Sequence, residues 1–207
     1  MKNNILVEYG REILQKNPEI IQSRHIINIF DLKFYKDLEK IIKEETDKII
    51  LEKKYYIIEE YIKRNIINLV GILEIDIKIK DILSNNIIEV VHRYHKGEDK
   101  YNLGWHFDNK KLIIQNLKNK NKLHNLEVIN ITDQKIFALY IKDRIPKYTV
   151  ILYFYTYDKD FKGGELEFIE YIYLPKKGDL LLFDSRELHR VNYLKNGNRR
   201  CIVIKFY

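Results

Sequence analysis

Two periodicities divide the chain. Up to about residue 85, apolar residues recur every three or four positions, the spacing that lines one face of a helix. From Asn86 onward the repeat shortens to two, and β-branched and aromatic residues dominate, as in half-buried strands. In the first part, Asp31 predicts an N-cap for a helix running to about Lys43, with Leu32, Tyr35, Leu38 and Ile42 along its inward face. A second helix is predicted over Glu45 to Leu69, burying Ile49, Ile50, Tyr56, Ile57, Tyr61 and Ile66, with Gly71 as its stop signal. A short third follows near Ile77 to Leu83. Ahead of these, His25 to Ile29 is a short apolar segment, and Ile5 to Leu14 is a mixed stretch broken by Glu8, Arg11 and Glu12.

In the second part the candidate strands are Ile87–His95, Leu103–Asp108, Leu126–Ile131, Lys135–Ile141, Lys147–Tyr157, Glu165–Tyr173, Asp179–Asp184 and Arg199–Tyr207. Turn signals at Lys96-Gly97, Asp158 to Gly164, Pro175 to Gly178 and Asn196-Gly197-Asn198 separate several of them. No repeat and no proline- or serine-rich linker is visible. The expectation is one α+β domain over residues 1–207: a mainly helical support, 1–85, behind an eight-stranded sandwich or barrel, 86–207. Asn109 to Asn125 breaks the β period and carries Lys110, Lys111, Lys118, Lys120 and Lys122. It reads either as a solvated excursion or as a loop that contacts substrate.

Composition changes this picture little. A chain of 207 residues, 45% hydrophobic and 32% charged, carries enough for one substantial core and is not the composition of a disordered chain. No apolar run approaches the length that spans a bilayer, no secretory signal is visible, and the single Cys201 excludes an internal disulfide. An intracellular, cytoplasmic protein without a membrane partner is expected. Lysine and arginine exceed acids by seven. That admits an acidic partner such as nucleic acid, but AT-rich codons produce the same excess of lysine, isoleucine, asparagine and tyrosine.

The candidate chemistry lies in His106-Phe107-Asp108, His189 and Arg199. On a strand, residues i and i+2 project to one side, so His106 and Asp108 can grip one ion. Two imidazoles and one carboxylate on one face of an octahedral ion leave three positions open, the donor set of non-haem Fe(II) oxygenases. An arginine suits a dicarboxylate cosubstrate, because its planar fork pairs with a carboxylate through two hydrogen bonds. Arg199 and Arg200 would face opposite sides of a strand.

The surrounding text is more specific than the triad. Tyr148-Thr149-Val150-Ile151-Leu152-Tyr153 precedes Gly163-Gly164-Glu165-Leu166-Glu167-Phe168, then Pro175-Lys176-Lys177-Gly178-Asp179-Leu180-Leu181-Leu182-Phe183, and Arg199 stands ten residues after His189. In this combination the chain, from about Ile88 to Tyr207, resembles the 2-oxoglutarate/Fe(II)-dependent dioxygenases, in their prolyl 4-hydroxylase-like branch. The resemblance implies a double-stranded β-helix, or jelly-roll, core with supporting N-terminal helices. It also implies His106, Asp108 and His189 as iron ligands, and Arg199 as the residue that pairs with the distal carboxylate of 2-oxoglutarate. Tyr153 matches a position that supports that carboxylate. Tyr94 matches the tyrosine of an R-Y-x-x-G strand, although its separation from His106 is longer than in prolyl 4-hydroxylases and leaves Tyr101 as a competitor.

The implied cofactors are Fe(II), 2-oxoglutarate as cosubstrate and ascorbate as reductant. The implied reaction hydroxylates a protein or peptide side chain, prolyl first and lysyl second, with release of succinate and CO2. Oxidative demethylation or hydroxylation of nucleic acid is the enzymatic alternative, and a catalytically dead binding fold the non-enzymatic one. His25, His92, His95 and His124 read as structural or surface residues, Gly163-Gly164 as a tight turn, and Cys201 as a small buried apolar residue.

Overall fold

The computed structural model describes residues 2–43, 48–73, 75–85, 88–97, 102–108 and 146–207. The expected strands Leu126–Ile131 and Lys135–Ile141, the lysine-rich stretch Asn109–Asn125, Tyr101 and His124 lie outside the described residues.

The N-terminal part is more structured than its pattern suggests. Helix α1 spans Lys2–Lys16 and α2 Glu19–Gln22, and β1, His25–Asn28, follows. Tyr9, Ile13 and Leu14 of α1 and Ile20 of α2 are buried together against Phe107 and Leu188. The charges that break up Ile5 to Leu14 therefore leave one apolar side intact, and tertiary contact gives that side a partner. Helix α3, Lys33–Lys43, starts beyond the expected cap; Asp31 instead faces Lys36 at 3.7 Å. Tyr35, Leu38 and Ile42 are buried as their spacing predicts, whereas Leu32, just ahead of the helix, is exposed.

Helix α4, Lys48–Gly71, buries Ile58, Ile62, Leu69 and Val70, with the expected Tyr61 and Ile66 packed against the same core, whereas the expected Tyr56 and Ile57 are exposed. Apolar residues occur on several sides of this helix, so spacing alone does not select one; packing against α3 and the sheet does. A fifth helix, α5, covers Ile77–Asn85. Among the described residues, no helix is long and apolar enough to cross a membrane.

The remaining described strands form two antiparallel sheets. The larger has the order β1-β8-β4-β10-β2, built from β2 Ile88–Lys96, β4 Tyr148–Tyr153, β8 Asp179–Asp184 and β10 Leu194–Phe206, with β5 Phe161–Gly163 also pairing β10. The smaller has the order β3-β9-β6-β7, from β3 Leu103–His106, β6 Leu166–Phe168, β7 Ile172–Tyr173 and β9 His189–Val191. Four antiparallel pairs are nested: β2 with β10, β3 with β9, β4 with β8, and β6 with β7. This is one long hairpin, its tip between β6 and β7, wound so that successive pairs fall alternately in the two sheets. It is the expected double-stranded β-helix.

Alternation along β4, β8 and β10 sorts their side chains between two cores. Val150, Leu152, Leu180, Leu182, Ile202, Ile204 and Phe206 pack on α3, α4 and α5. Ile151, Tyr153, Leu181, Phe183 and Cys201 face the smaller sheet, with Leu166, Phe168, Tyr173 and Val191. All six residues of β8 are buried, because both of its faces are covered. Strand β10 is longer than the expected Arg199–Tyr207, and Glu165–Tyr173 divides into β6 and β7.

Candidate active site

His106 ends β3 and His189 opens β9, and the two are register partners across the smaller sheet. Their rings lie 4.2 Å apart at 59°. Asp108, two residues beyond the strand, turns to the same side, so that ligand atoms of His106, Asp108 and His189 all lie within 4.8 Å of one another. No further histidine, cysteine, aspartate or glutamate joins this group among the described residues.

Each imidazole is oriented by a carbonyl. His106 Nδ1 lies 2.8 Å from the Gly104 oxygen and His189 Nδ1 2.9 Å from the Glu187 oxygen. A carbonyl only accepts, so Nδ1 carries the proton on both rings and the Nε2 lone pairs remain for a ligand bond. Burial, and then the neighbouring His189, push His106 down to about 3; burial, reinforced by Lys205 against the opposing Asp108, pushes His189 down to about 4. Both rings are therefore neutral near pH 7.

Asp108 is the reverse case. Burial drives its carboxyl upward, but Lys205, His189 and His106 together outweigh it and hold the group well below the usual carboxylate range. Lys205 Nζ lies 2.8 Å from Asp108 Oδ1, and the Thr149 hydroxyl donates to Oδ2 at 2.7 Å. Two neutral imidazoles and an ionised, doubly oriented carboxylate fit a divalent iron that keeps open positions.

Lys205 and Thr149 were not expected at this centre. Alternation places Thr149 on the inward row with Ile151 and Tyr153, and Lys205 on the row of Arg199, Cys201 and Val203. A lysine on an otherwise inward row was the available signal.

Further along the same face, Arg199 is 2% exposed. Its Nε donates to the Gly164 oxygen at 3.1 Å, its Nη1 lies 3.4 Å from Cys201 Sγ, and its guanidinium sits 5.5 Å from the centre of the Tyr153 ring. Gly164 has φ +67°, and a Cβ there would come 3.1 Å from Arg199 Cδ, so the glycine serves both the turn and the close approach of the arginine. Burial raises the Tyr153 phenol far above its ordinary value, with Arg199 opposing. The Tyr153 hydroxyl is buried and makes no well-formed hydrogen bond among the described residues, although Arg199 adjoins it. A buried guanidinium beside a buried hydroxyl fits an incoming carboxylate, which can accept from both.

Tyr94 does not share this pocket. Its register partner is Arg200, not Arg199, and the Arg200 guanidinium lies 4.0 Å over its ring. Arg200 itself donates to the Ile42 carbonyl at 3.2 Å, on the helix side of the sheet. Strand alternation sends Tyr94 to that side with Val90 and His92, which corrects its expected place beside the cosubstrate. The β2 residue paired with Arg199 is His95, which by sequence reads as a structural or surface residue. His25 lies in β1 opposite Leu182, away from the triad.

A family model for the 2OG-Fe(II) oxygenase superfamily matches residues 90–207, more than half the chain. Similar solved structures include a viral collagen prolyl hydroxylase from Paramecium Bursaria Chlorella virus-1 in complex with 2OG, at 14% identity and TM-score 0.45, covering 89% of this chain and 96% of that one. A prolyl-4-hydroxylase from Pseudomonas putida is 11% identical with TM-score 0.45, covering 89% and 87%. A prolyl hydroxylase from Trichoplax adhaerens, in complex with a hypoxia inducible factor oxygen degradation domain peptide fragment, is 14% identical with TM-score 0.45, covering 99% and 91%. No curated protein sequence matches the chain.

Proposed function

The chain belongs to the 2OG-Fe(II) oxygenase superfamily and is a 2-oxoglutarate-dependent dioxygenase; from that premise we propose that it hydroxylates a protein or peptide side chain, prolyl first and lysyl second. One observation carries the assignment of the site: ligand atoms of His106, Asp108 and His189 all lie within 4.8 Å of one another, while Nδ1 of each ring is turned to a backbone carbonyl. When bound there, iron supplies activation of O2 coupled to oxidative decarboxylation of 2-oxoglutarate. The substrate C–H becomes C–OH with one oxygen atom, the other enters succinate, and CO2 leaves.

The residues supply position and protection. The carbonyls of Gly104 and Glu187 keep the two imidazoles in the ligating tautomer. Thr149 and Lys205 hold the Asp108 carboxylate. Arg199, with the Tyr153 hydroxyl, takes the far carboxylate of 2-oxoglutarate through charge-assisted hydrogen bonds. Phe168 and Phe183, whose rings lie 6.0 and 4.9 Å from that of His189, wall the centre with apolar surface and keep water from it. The preference for a prolyl side chain rests on the sequence texts Thr149 to Tyr153, Gly163 to Phe168 and Pro175 to Phe183. Ascorbate is the expected reductant for sustained turnover.

The test is incubation with Fe(II), 2-oxoglutarate and ascorbate in air against proline-containing peptides, lysine-containing peptides and methylated oligonucleotides, reading succinate and product mass together. Proline-containing peptides that gain one oxygen atom with matching succinate support the proposal. Gain confined to lysine peptides or loss of methyl groups from oligonucleotides replaces the substrate class, and no succinate under any condition rejects the reaction.

A further inference from the structure

Residues 1–89 lie outside the region matched by the family model, yet part of this segment reaches the turns that carry the metal ligands. Arg24, between α2 and β1, donates to both carboxylate oxygens of Glu187, through Nε at 2.9 Å to Oε2 and through Nη2 to Oε1. Glu187 is fully buried, and a carboxylate removed from water requires such a partner. The Glu187 backbone carbonyl is the group that receives His189 Nδ1. The same guanidinium lies 4.7 Å over the Phe168 ring, whose centre is 6.0 Å from that of His189.

Neighbouring contacts tie the same pieces together. The Ser23 hydroxyl accepts the Asp184 N–H at 3.1 Å, just ahead of the turn that leads to His189. Phe107, between His106 and Asp108, and Leu188, just before His189, are buried with Tyr9, Ile13, Leu14 and Ile20. A Cβ on Gly10 would stand 2.9 Å from Leu188 Cδ2 and 2.6 Å from Ile169 Cδ1, so α1 sits directly on this turn.

We propose that Arg24 is a positioning residue for the metal site, acting through Glu187 on the orientation and tautomer of His189; the inference rests on the reading of His106, Asp108 and His189 as the metal ligands. Removing Arg24 leaves the Glu187 carboxylate buried without its fork. The turn relieves this by swinging Glu187 toward water, and that movement takes the carbonyl off His189 Nδ1. The ring is then free to rotate, and Nε2 no longer points at the ion.

Co(II) serves as the probe, titrated anaerobically into the full-length chain and followed by its visible d–d absorption, which reports ligand geometry independently of turnover. Arg24→Met is expected to weaken Co(II) binding by about 10–100-fold, the usual cost of losing a group that orients a ligand, and to alter the band pattern. Arg24→Lys, which keeps the charge but loses the fork, is expected to fall between Arg24→Met and wild type, and it carries the test if Arg24→Met does not fold. Leu38→Ala, in the helix-side core, should lower Tm while leaving Co(II) affinity within about twofold of wild type. Wild-type affinity and spectrum in Arg24→Lys and, where it folds, in Arg24→Met would overturn the proposal. So would a loss in Leu38→Ala as large as that from the Arg24 variants, since general loosening would then explain both. A wild-type chain that binds no Co(II), or a His189→Ala variant that binds it equally well, instead rejects the metal reading beneath it.

Discussion

Arg199 and Arg200 are adjacent, identical in type and almost equally buried, at 2% and 6% exposure, yet they serve opposite halves of the molecule. Arg199 faces the space between the sheets, beside Gly164 and Tyr153. Arg200 faces the helices, donates to the last turn of α3 at Ile42 and lies over Tyr94. The same division runs down β10: Cys201 and Lys205 point to the site side, Ile202, Ile204 and Phe206 to the helix side. Residue type and burial therefore do not distinguish the arginine beside the candidate site from the one on the helix side. The face does, and a one-residue slip in register would exchange the roles.

The sharpest test of the site side is loss of a ligand. His106→Ala, Asp108→Ala and His189→Ala should each abolish metal-dependent turnover with the fold retained, measured by succinate release and circular dichroism. Unchanged iron affinity and activity in any one of them would remove that residue from the centre.

Arg199→Ala should raise the 2-oxoglutarate requirement steeply, by an amount on the order of 2–5 kcal/mol in binding, with a smaller effect on metal affinity. Isothermal titration with 2-oxoglutarate measures it. Arg200→Ala should leave that affinity nearly unchanged and lower stability instead, by about 1–3 kcal/mol, because it strips a hydrogen bond from a buried helix-terminal carbonyl and a cation from the Tyr94 ring. Arg200 faces away from the pocket. Its burial makes the substitution mild for cosubstrate only. If Arg200→Ala is the variant that loses 2-oxoglutarate, the two faces are assigned the wrong way round.

The site side should also dominate the acid sensitivity of the metal-free protein. His106 and His189 have folded-state values of about 3 and about 4, below the ordinary histidine value near 6.5. Between roughly pH 4 and 6.5 the unfolded chain binds more protons than the folded one, so stability rises with pH across that window and falls on acidification. Each histidine contributes a slope of up to about 1.4 kcal/mol per pH unit. The depressed Asp108 adds to the loss at lower pH, as its carboxylate is protonated more readily in the unfolded chain. Urea midpoints should drop between pH 7 and pH 5, and His106→Phe should flatten the slope. An equally steep slope in that variant would place the acid sensitivity elsewhere.

The smallest expected effect is that of Thr149→Val, which keeps the side-chain shape and removes the hydrogen bond to Asp108 Oδ2. Metal affinity should fall by about tenfold, read by Co(II) titration, with a modest loss of Tm because the buried Ser185 hydroxyl also loses its partner. Val150→Ala, one residue away on the helix side, should do the reverse.

Much of this organisation is legible in the amino-acid sequence. The change of period near residue 86 separated the helices from every described strand except β1, because period depends only on which neighbouring residues are apolar. The spacing of His106 and Asp108 placed two donors together, and alternation assigned Arg199 and Arg200 to opposite faces. The same rule, applied to Tyr94 with the register known, removes it from the pocket, but register is a pairing between distant segments and no local pattern contains it. Tertiary structure alone decided which side of α4 is buried, since several of its sides are apolar and only the position of α3 and the sheet selects one. It alone brought Lys205 to Asp108 and Arg24 to Glu187, across 97 and 163 residues. Short-range periodicity determines what an element is and which residues share its face; what covers that face is set by the rest of the chain.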